Sequence, residues 1–269
     1  MSDAAANSAS AQRARFLNDA VRLHGGTLLN RGVFVESCES TQDEARRLCD
    51  GTPGLVVLAG RQTNGRGRLG RTWHEGVGLG IAMSFVLDAS LGVERLSLAG
   101  ALGAYQACAD CMLDTSVEIG LKWPNDVVER MHFGPGRKLA GVLVELDAAR
   151  NLAILGVGVN VLQHAGHWPS ELRGRATSLS DLGSSADQDR VVLALVRAVA
   201  AAASRDVAEL SEAFTAVDTL TGTHQRFVHD GRHFAGLVRS IDPAASIRLV
   251  DAHGVEHALP ALTTSLVKD

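Results

Sequence analysis

Unbroken apolar runs alternate along this chain with stretches whose apolar positions recur at helical spacing. Residues 55–59 are continuously apolar, the pattern of a strand covered on both faces, and 33–36 and 81–87 read as strands before and after it. Leu96, Leu98, Ala99, Leu102, Ala104, Tyr105, Cys108 and Met112 follow a helical period and predict the longest helix of the first half. Strands are expected at 117–121, 138–146 and 152–159, then two alanine-rich amphipathic helices over 187–203 and 207–216. Beyond Asp218 the pattern shortens to strands at 226–229, 233–241, 246–250, 256–259 and 265–267, with turn pairs such as Asp230-Gly231 between them, which suits a small β-barrel. At the other end, residues 1–11 are small and polar and read as disordered, and 12–23 as a single helix closed by Gly25-Gly26. A helix over 42–49 is expected to carry a capping box between Thr41 and Glu44.

At 269 residues, 46% of them apolar and 21% charged, the chain has room for one large domain and a small one. A net charge of −4 argues against a general nucleic-acid binder. No apolar run approaches the roughly 20 residues that span a bilayer, and the first residues lack the basic and apolar segments of a secretory signal. No membrane partner and a cytoplasmic location follow as expectations. Of the four cysteines, Cys108 and Cys111 form a Cys-x-x-Cys inside a helical pattern, but Cys38 and Cys49 supply no second close pair, so buried thiols are expected rather than a zinc site.

Charge is concentrated instead in residues 61–73, where four arginines and three glycines follow the 55–59 strand directly. Glycines let backbone N–H groups approach a ligand, and Arg66, Arg68 and Arg71 offer forks that match carboxylate and phosphate oxygens. The spelling Gly65-x-Gly67-x-x-Gly70 matches a dinucleotide fingerprint, yet no helix opens after it, so a Rossmann site is not expected. Further on, Lys122-Trp123-Pro124-Asn125-Asp126 breaks regular structure and presents a carboxylate, with 130–137 as the tip of an extended hairpin. Strict alternation through the next strand puts Lys138 and Ala140 on one face and Leu139 and Gly141 on the other. Gly141, Gly156 and Gly158 leave room for a ligand against the sheet, and the loop 161–175 is long enough to be functional.

Taken in order, Glu39-Ser40-Thr41, Gly-Arg-Gly-Arg-x-Gly-Arg-x-Trp at 65–73, Lys-Trp-Pro-Asn-Asp at 122–126, Lys-Leu-Ala-Gly-x-Leu-x-Glu at 138–145, Gly-x-Gly-x-Asn at 156–160 and Ala176-Thr177-Ser178-Leu179 closely resemble the biotin protein ligases. The resemblance is dense over residues 33–182 and looser to the C-terminus. It implies an α+β fold, a mixed β-sheet flanked by helices of the class II synthetase type with a small C-terminal SH3-like β-barrel. The implied division is 1–30 as a tail and helix, 31–219 as the catalytic domain and 220–269 as the barrel. The implied type is the monofunctional one, without a DNA-binding domain and without a DNA partner, as monomer or homodimer.

The resemblance also implies a reaction. Biotin's carboxylate attacks the α-phosphate of ATP with Mg²⁺ present, pyrophosphate leaves, and the biotinyl-adenylate acylates one lysine of a biotin carboxyl carrier protein. Lys138, Arg68 and Asp126 are the implied catalytic residues. Ser40, Thr41 and Gln62 would bond the ureido ring, Trp73 would cover the apolar chain, and Gly65, Arg66, Arg68, Lys138, Gly141, Gly156 and Gly158 complete the biotin site. Arg66, Arg68, Arg71, Trp73, Asn125, Lys138 and Asn160 would hold ATP, and Gly65 and Gly67 would hinge the arginine loop. Which residues would hold the metal is left open. The rival readings are a lipoate or octanoate ligase of the same fold, and a module that senses an adenylate without catalysis.

Overall fold

The computed structural model describes residues 3–261 and 263–267. In chain order the helices are α1 (Asp3–His24), α2 (Thr41–Leu48), α3 (Val93–Asp110), α4 (Gln188–Ala203) and α5 (Val207–Val217). The strands are β1 (Arg31–Val35), β2 (Leu55–Ala59), β3 (Gly65–Arg66), β4 (Thr72–Trp73), β5 (Gly80–Asp88), β6 (Ile119–Lys122), β7 (Asp126–Met131), β8 (Gly134–Asp147) and β9 (Leu152–Asn160). Five more close the chain: β10 (His224–His229), β11 (Arg232–Asp242), β12 (Ser246–Val250), β13 (Glu256–Pro260) and β14 (Thr264–Leu266).

The main sheet has seven strands in the order β1-β2-β5-β9-β8-β7-β6, and only the β1–β2 pair is parallel, so the sheet is mixed. Its two faces differ. On one, Val56, Leu58, Met83, Phe85, Leu87, Leu155 and Val157 pack against α1, α3, α4 and α5 in the larger core. On the other, Leu55, Val57, Val86, Leu152 and Ile154 meet Ala45 of α2 and Cys49 at its C-terminal cap in a smaller core. α2 is only eight residues long and covers one end of that face. The uncovered remainder of the face is small or polar: Ser84 is paired with Gly156, and Ala82 and Gly141 flank Gly158 in register.

β10 to β14 form an antiparallel sheet in the order β13-β12-β11-β10-β14, the small β domain expected at the C-terminus. The turn after β6 fastens it to the main sheet, because buried Trp123 meets Phe227 of β10 edge to face, ring centroids 6.4 Å apart.

Three local expectations are corrected. The segment 3–11, expected to be disordered, continues α1 toward the N-terminus in the structure, while residues 1 and 2 lie outside those described. The cap of α2 is Ser40, whose hydroxyl accepts from the Gln42 amide, and Glu44 pairs with Arg47 instead of closing a capping box. Most consequential is β8. Pairing runs Val127 to Ala140 and then Val128 to Lys138, so an extra residue bulges at Leu139. The bulge reverses the alternation expected there and turns Lys138 to the face of Asp126 and Gly141.

Candidate active site

A cleft of about 1200 Å³ lies on the uncovered sheet face, between the α2 terminus, the 65–73 loop, the β6–β7 turn, the 168–176 segment and β14. At one end of it the α2 N-terminus presents Ser40, Thr41 and Gln42. Backbone bonds zip residues 38–39 onto 61–64, and this brings Gln62 up to Thr41: the Gln62 Oε1 accepts from the Thr41 amide at 2.8 Å and from its hydroxyl at 3.2 Å. The buried Ser84 hydroxyl donates to Thr41 Oγ1 at 2.9 Å. Gln42 lies over Gly156, where a Cβ would stand 3.1 Å from its amide carbon, and both of its amide polar atoms are buried without a partner among the described residues. Such an arrangement is costly unless something polar arrives. Sequence reading passed over Gln42, though its place directly after Ser40-Thr41 was the available signal.

The middle of the cleft is floored by Gly158 and Gly141. The room they leave is taken by the chain itself. A Cβ on Gly158 would overlap the Trp73 indole, and one on Gly141 would stand 2.7 Å from Lys138 Nζ and 3.3 Å from Trp73 Cζ3. The Lys138 ammonium sits 5.3 Å from the indole centroid, within reach of a cation–π interaction.

At the far end, Lys138 Nζ pairs with Asp126 at 2.6 Å. The backbone of Lys138 is gripped by the strand-like segment 175–177, with its N–H on Arg175 and its carbonyl taking the Thr177 N–H. Arg68, Arg71, Lys122 and Arg175 surround this pair in the cleft wall. Burial pushes the pKa of Arg68 down, partly offset by Asp126, and does the same to Lys122, again offset by Asp126. Among the described residues Arg68 and Arg71 make no side-chain hydrogen bond or ion pair, so two guanidinium forks are available for an anion.

Other expected site residues are engaged elsewhere. Arg66 is held by Asp43 at 2.5 and 2.9 Å and by Glu145 at 3.1 and 3.2 Å, and these bonds, Asp43's first, push its pKa up. It fastens the root of the loop to α2 and β8. Asn125 donates to the Val142 carbonyl and so seats the β6–β7 turn. Asn160 donates to the carbonyls of Thr177 and Lys138 and accepts from Gln163, bracing the 161–175 loop against β8. The hinge assignment also changes. Gly67 is extended at φ −119°, whereas Gly70 takes φ +71°, and a Cβ on Gly65 would stand 2.5 Å from Gln62 Nε2 and 2.7 Å from the Trp73 carbonyl. Gly65 therefore serves close approach and Gly70 the turn. Cys108 and Cys111 are buried core thiols whose pKa values burial pushes up.

Residues 32–161 match the Biotin/lipoate A/B protein ligase family. The chain is 38% identical over 172 residues to the biotin--[acetyl-CoA-carboxylase] ligase of Mycobacterium tuberculosis, an alignment that covers 61% of this chain and 60% of the relative. It is 32% identical over 166 residues to the bifunctional ligase/repressor BirA of Bacillus spizizenii, covering 60% of this chain and 50% of that one. The chain thus spans between half and three-fifths of the length of these two relatives. The likeness in three dimensions is broader: the biotin protein ligase from Aquifex aeolicus, solved with biotin and ATP, superimposes with a TM-score of 0.74 at 25% identity, over 88% of this chain and 99% of that one.

One half-buried acid stands outside these roles. Burial pushes the Glu75 carboxyl up to about 7, and among the described residues neither of its oxygens has a hydrogen-bond partner. A folded-state pKa above the unfolded 4.5 means that this group's contribution to stability is full below about pH 4.5 and is lost as pH rises through about 7. Glu75→Gln should therefore match wild type in urea unfolding near pH 4.5 and exceed it by about 1–3 kcal/mol at pH 8. An equal gap at both pH values would show that the carboxyl does not titrate in the fold.

Proposed function

We propose that this chain is a biotin protein ligase, which joins biotin to AMP at the expense of ATP and then passes the biotinyl group to a lysine of a biotin carboxyl carrier protein. The layout of the cleft supports this reading: hydrogen-bonding groups at one end, an indole over a glycine floor in the middle, and cations at the other. A ligand with a polar ring, an apolar chain and a terminal carboxylate has the same sequence of parts. The unpartnered Gln42 amide, with Ser40 and Thr41 beside it, suits a ureido group that both donates and accepts. A dithiolane would leave that amide unsatisfied, which favours biotin over lipoate.

In the first step the carboxylate oxygen bonds to the α-phosphorus while the bond to the bridging oxygen of pyrophosphate breaks. Negative charge accumulates where Lys138, Arg68 and Arg71 converge, and fixed cations in a water-poor cleft stabilise it. Lys138 then divides its hydrogen bonds between Asp126 and the phosphate. In the second step the carrier lysine attacks the carbonyl of the mixed anhydride and AMP leaves. Asp126, freed from part of its bond to Lys138, is placed to take the proton that the attacking ammonium must lose. Magnesium would enter on the triphosphate, since among the described residues no three His, Cys, Asp or Glu side chains converge on a metal site. Among the described residues no helix is long and apolar enough to cross a membrane. A cytoplasmic location, where ATP and a carrier protein are both at hand, fits this reading.

The test is ATP–pyrophosphate exchange. Exchange should depend on biotin and Mg²⁺. If lipoate or octanoate supported it equally well, the assignment would fall to the other branch of the family, and if no carboxylic acid did, the site would be a sensor.

A further inference from the structure

Lys138 stands between two irregularities of the β7–β8 pairing. One is the bulge at Leu139. The other lies on the opposite side of the lysine, where Val128 pairs with Lys138 and Arg130 with Pro135, so that Glu129 alone faces both Gly136 and Arg137. A pair isolated between two bulges has little regular ladder to fix its register, and a slip of one residue would turn the lysine to the other face of the sheet. Side chains must supply what the ladder does not. Glu129 is only 8% exposed, and with Arg137 and Lys138 it lines the cleft.

The Glu129 carboxylate takes up the slack of the second irregularity. Its Oε2 accepts the backbone N–H of Arg137 at 3.0 Å and the guanidinium Nε at 2.8 Å, while Oε1 accepts from Nη2 at 2.6 Å. Gly136 makes the room, since a Cβ there would stand 2.9 Å from Glu129 Cβ and 3.1 Å from Oε2. Burial on its own would push the Glu129 carboxyl up, but the bonds from Arg137 hold it below its usual range, so the pair is ionic. The third guanidinium nitrogen, Nη1, donates to Asp181 at 2.7 Å, and Asp181 accepts from the Thr177 hydroxyl at 3.3 Å. The Thr177 amide in turn donates to the Lys138 carbonyl at 2.9 Å. The bonds close a circuit from Lys138 through Arg137, Asp181 and Thr177 back to Lys138, with Glu129 as its anchor on β7.

We infer that Glu129 and Arg137 are positioning residues for Lys138, and that their ion pair fixes the doubly bulged register which aims the lysine at Asp126 and the cleft. The inference rests on the reading of Lys138 as the cation at the reacting phosphate. A bidentate pair sets angle as well as distance, which an apolar contact at the same point would not do. Loss of the pair leaves the lysine present but free to stray, and a displacement of about 1 Å at a reacting group costs rate far more than it costs substrate affinity.

Arg137→Met, which keeps the apolar stem and removes the fork, should lower the maximal rate of biotin-dependent ATP–pyrophosphate exchange by about tenfold and leave the biotin Kd within about threefold of wild type. Arg137→Lys, which keeps the charge without the fork, should fall between the two. In a Lys138→Ala background Arg137→Met should change exchange by less than about twofold, because no lysine is left to aim, whereas a general loss of structure would lower both backgrounds by the same factor. Competitive acetylation with a water-soluble succinimidyl ester, read by mass spectrometry against Nα-acetyl-lysine amide, reports the placement without turnover. Lys138 should react at least about threefold faster in Arg137→Met than in wild type, since a loosened pair with Asp126 leaves more of the amine uncharged. Thermal unfolding checks that each variant folds, and Arg137→Lys takes the place of Arg137→Met in every comparison if the latter does not. Equal losses in the two backgrounds, exchange within about twofold of wild type, or unchanged Lys138 labelling overturns the inference. Absence of biotin-dependent exchange in wild type removes the ligase reading instead, and the acetylation then decides the positioning role alone.

Discussion

Lys138→Ala should lower biotin-dependent ATP–pyrophosphate exchange by about 10²-fold or more while changing biotin binding much less. Removal of one preorganised charge from the point where negative charge develops costs about 3–4 kcal/mol in the transition state. The structure adds a reason to expect the upper end. Lys138 is held by a bulged strand on one side and by residues 175–177 on the other, and its loss leaves Asp126 without its ion-pair partner, repelling the same phosphate. Lys138→Ala combined with Asp126→Asn should therefore recover part of the rate of the single variant, a coupling that a merely structural lysine would not produce. Exchange within threefold of wild type in Lys138→Ala would assign the cation to Arg68, Arg71 or Lys122 instead.

Gly158→Val should be the other large effect, a loss of about tenfold to a hundredfold in adenylation with the fold retained. Valine is a strong strand former, and β9 pairs on both sides, so the sheet itself accommodates the change. What it does not accommodate is Trp73, because a Cβ at this position would stand 2.6 Å from Cζ2 of the indole. The ring must leave its seat, and with it the cover over the apolar middle of the cleft. A red shift in tryptophan emission, absent when Trp73→Phe is combined with Gly158→Val, would report the displacement. Unchanged emission together with unchanged exchange would show that the indole seat has no part in catalysis.

The main strands and helices were legible because their apolar periods are clean: 55–59 is the observed β2, and 138–146 and 152–159 fall within β8 and β9. The order of the strands was not, since β5 lies between β2 and β9 through pairings far apart in sequence. The facing of Lys138 was misread for a physical reason. A one-residue bulge carries no periodic signal, yet it moves a side chain from one face of the sheet to the other. Glycine positions showed where something must approach closely, but not that Trp73, Lys138 and Gln42 would be the groups doing so. Arg66 looked equivalent to Arg68 and Arg71 in the sequence; its neighbours Asp43 and Glu145 come from α2 and β8 and are visible only in three dimensions.

Those neighbours give the 65–73 loop two unlike fastenings. Its root is tied by charge: Arg66 is a third exposed, and Asp43 and Glu145 are 49% and 26% exposed, so dissolved ions reach the contact and weaken it, with a Debye length of about 10 Å at 0.1 M. Its far end is tied by the indole of Trp73 on a glycine floor, a contact that sulfate and other excluded salts strengthen. Sodium chloride and sodium sulfate at equal ionic strength thus act alike on the root and differently on the tip, and the choice of buffer anion becomes a control over which end of the loop lets go first.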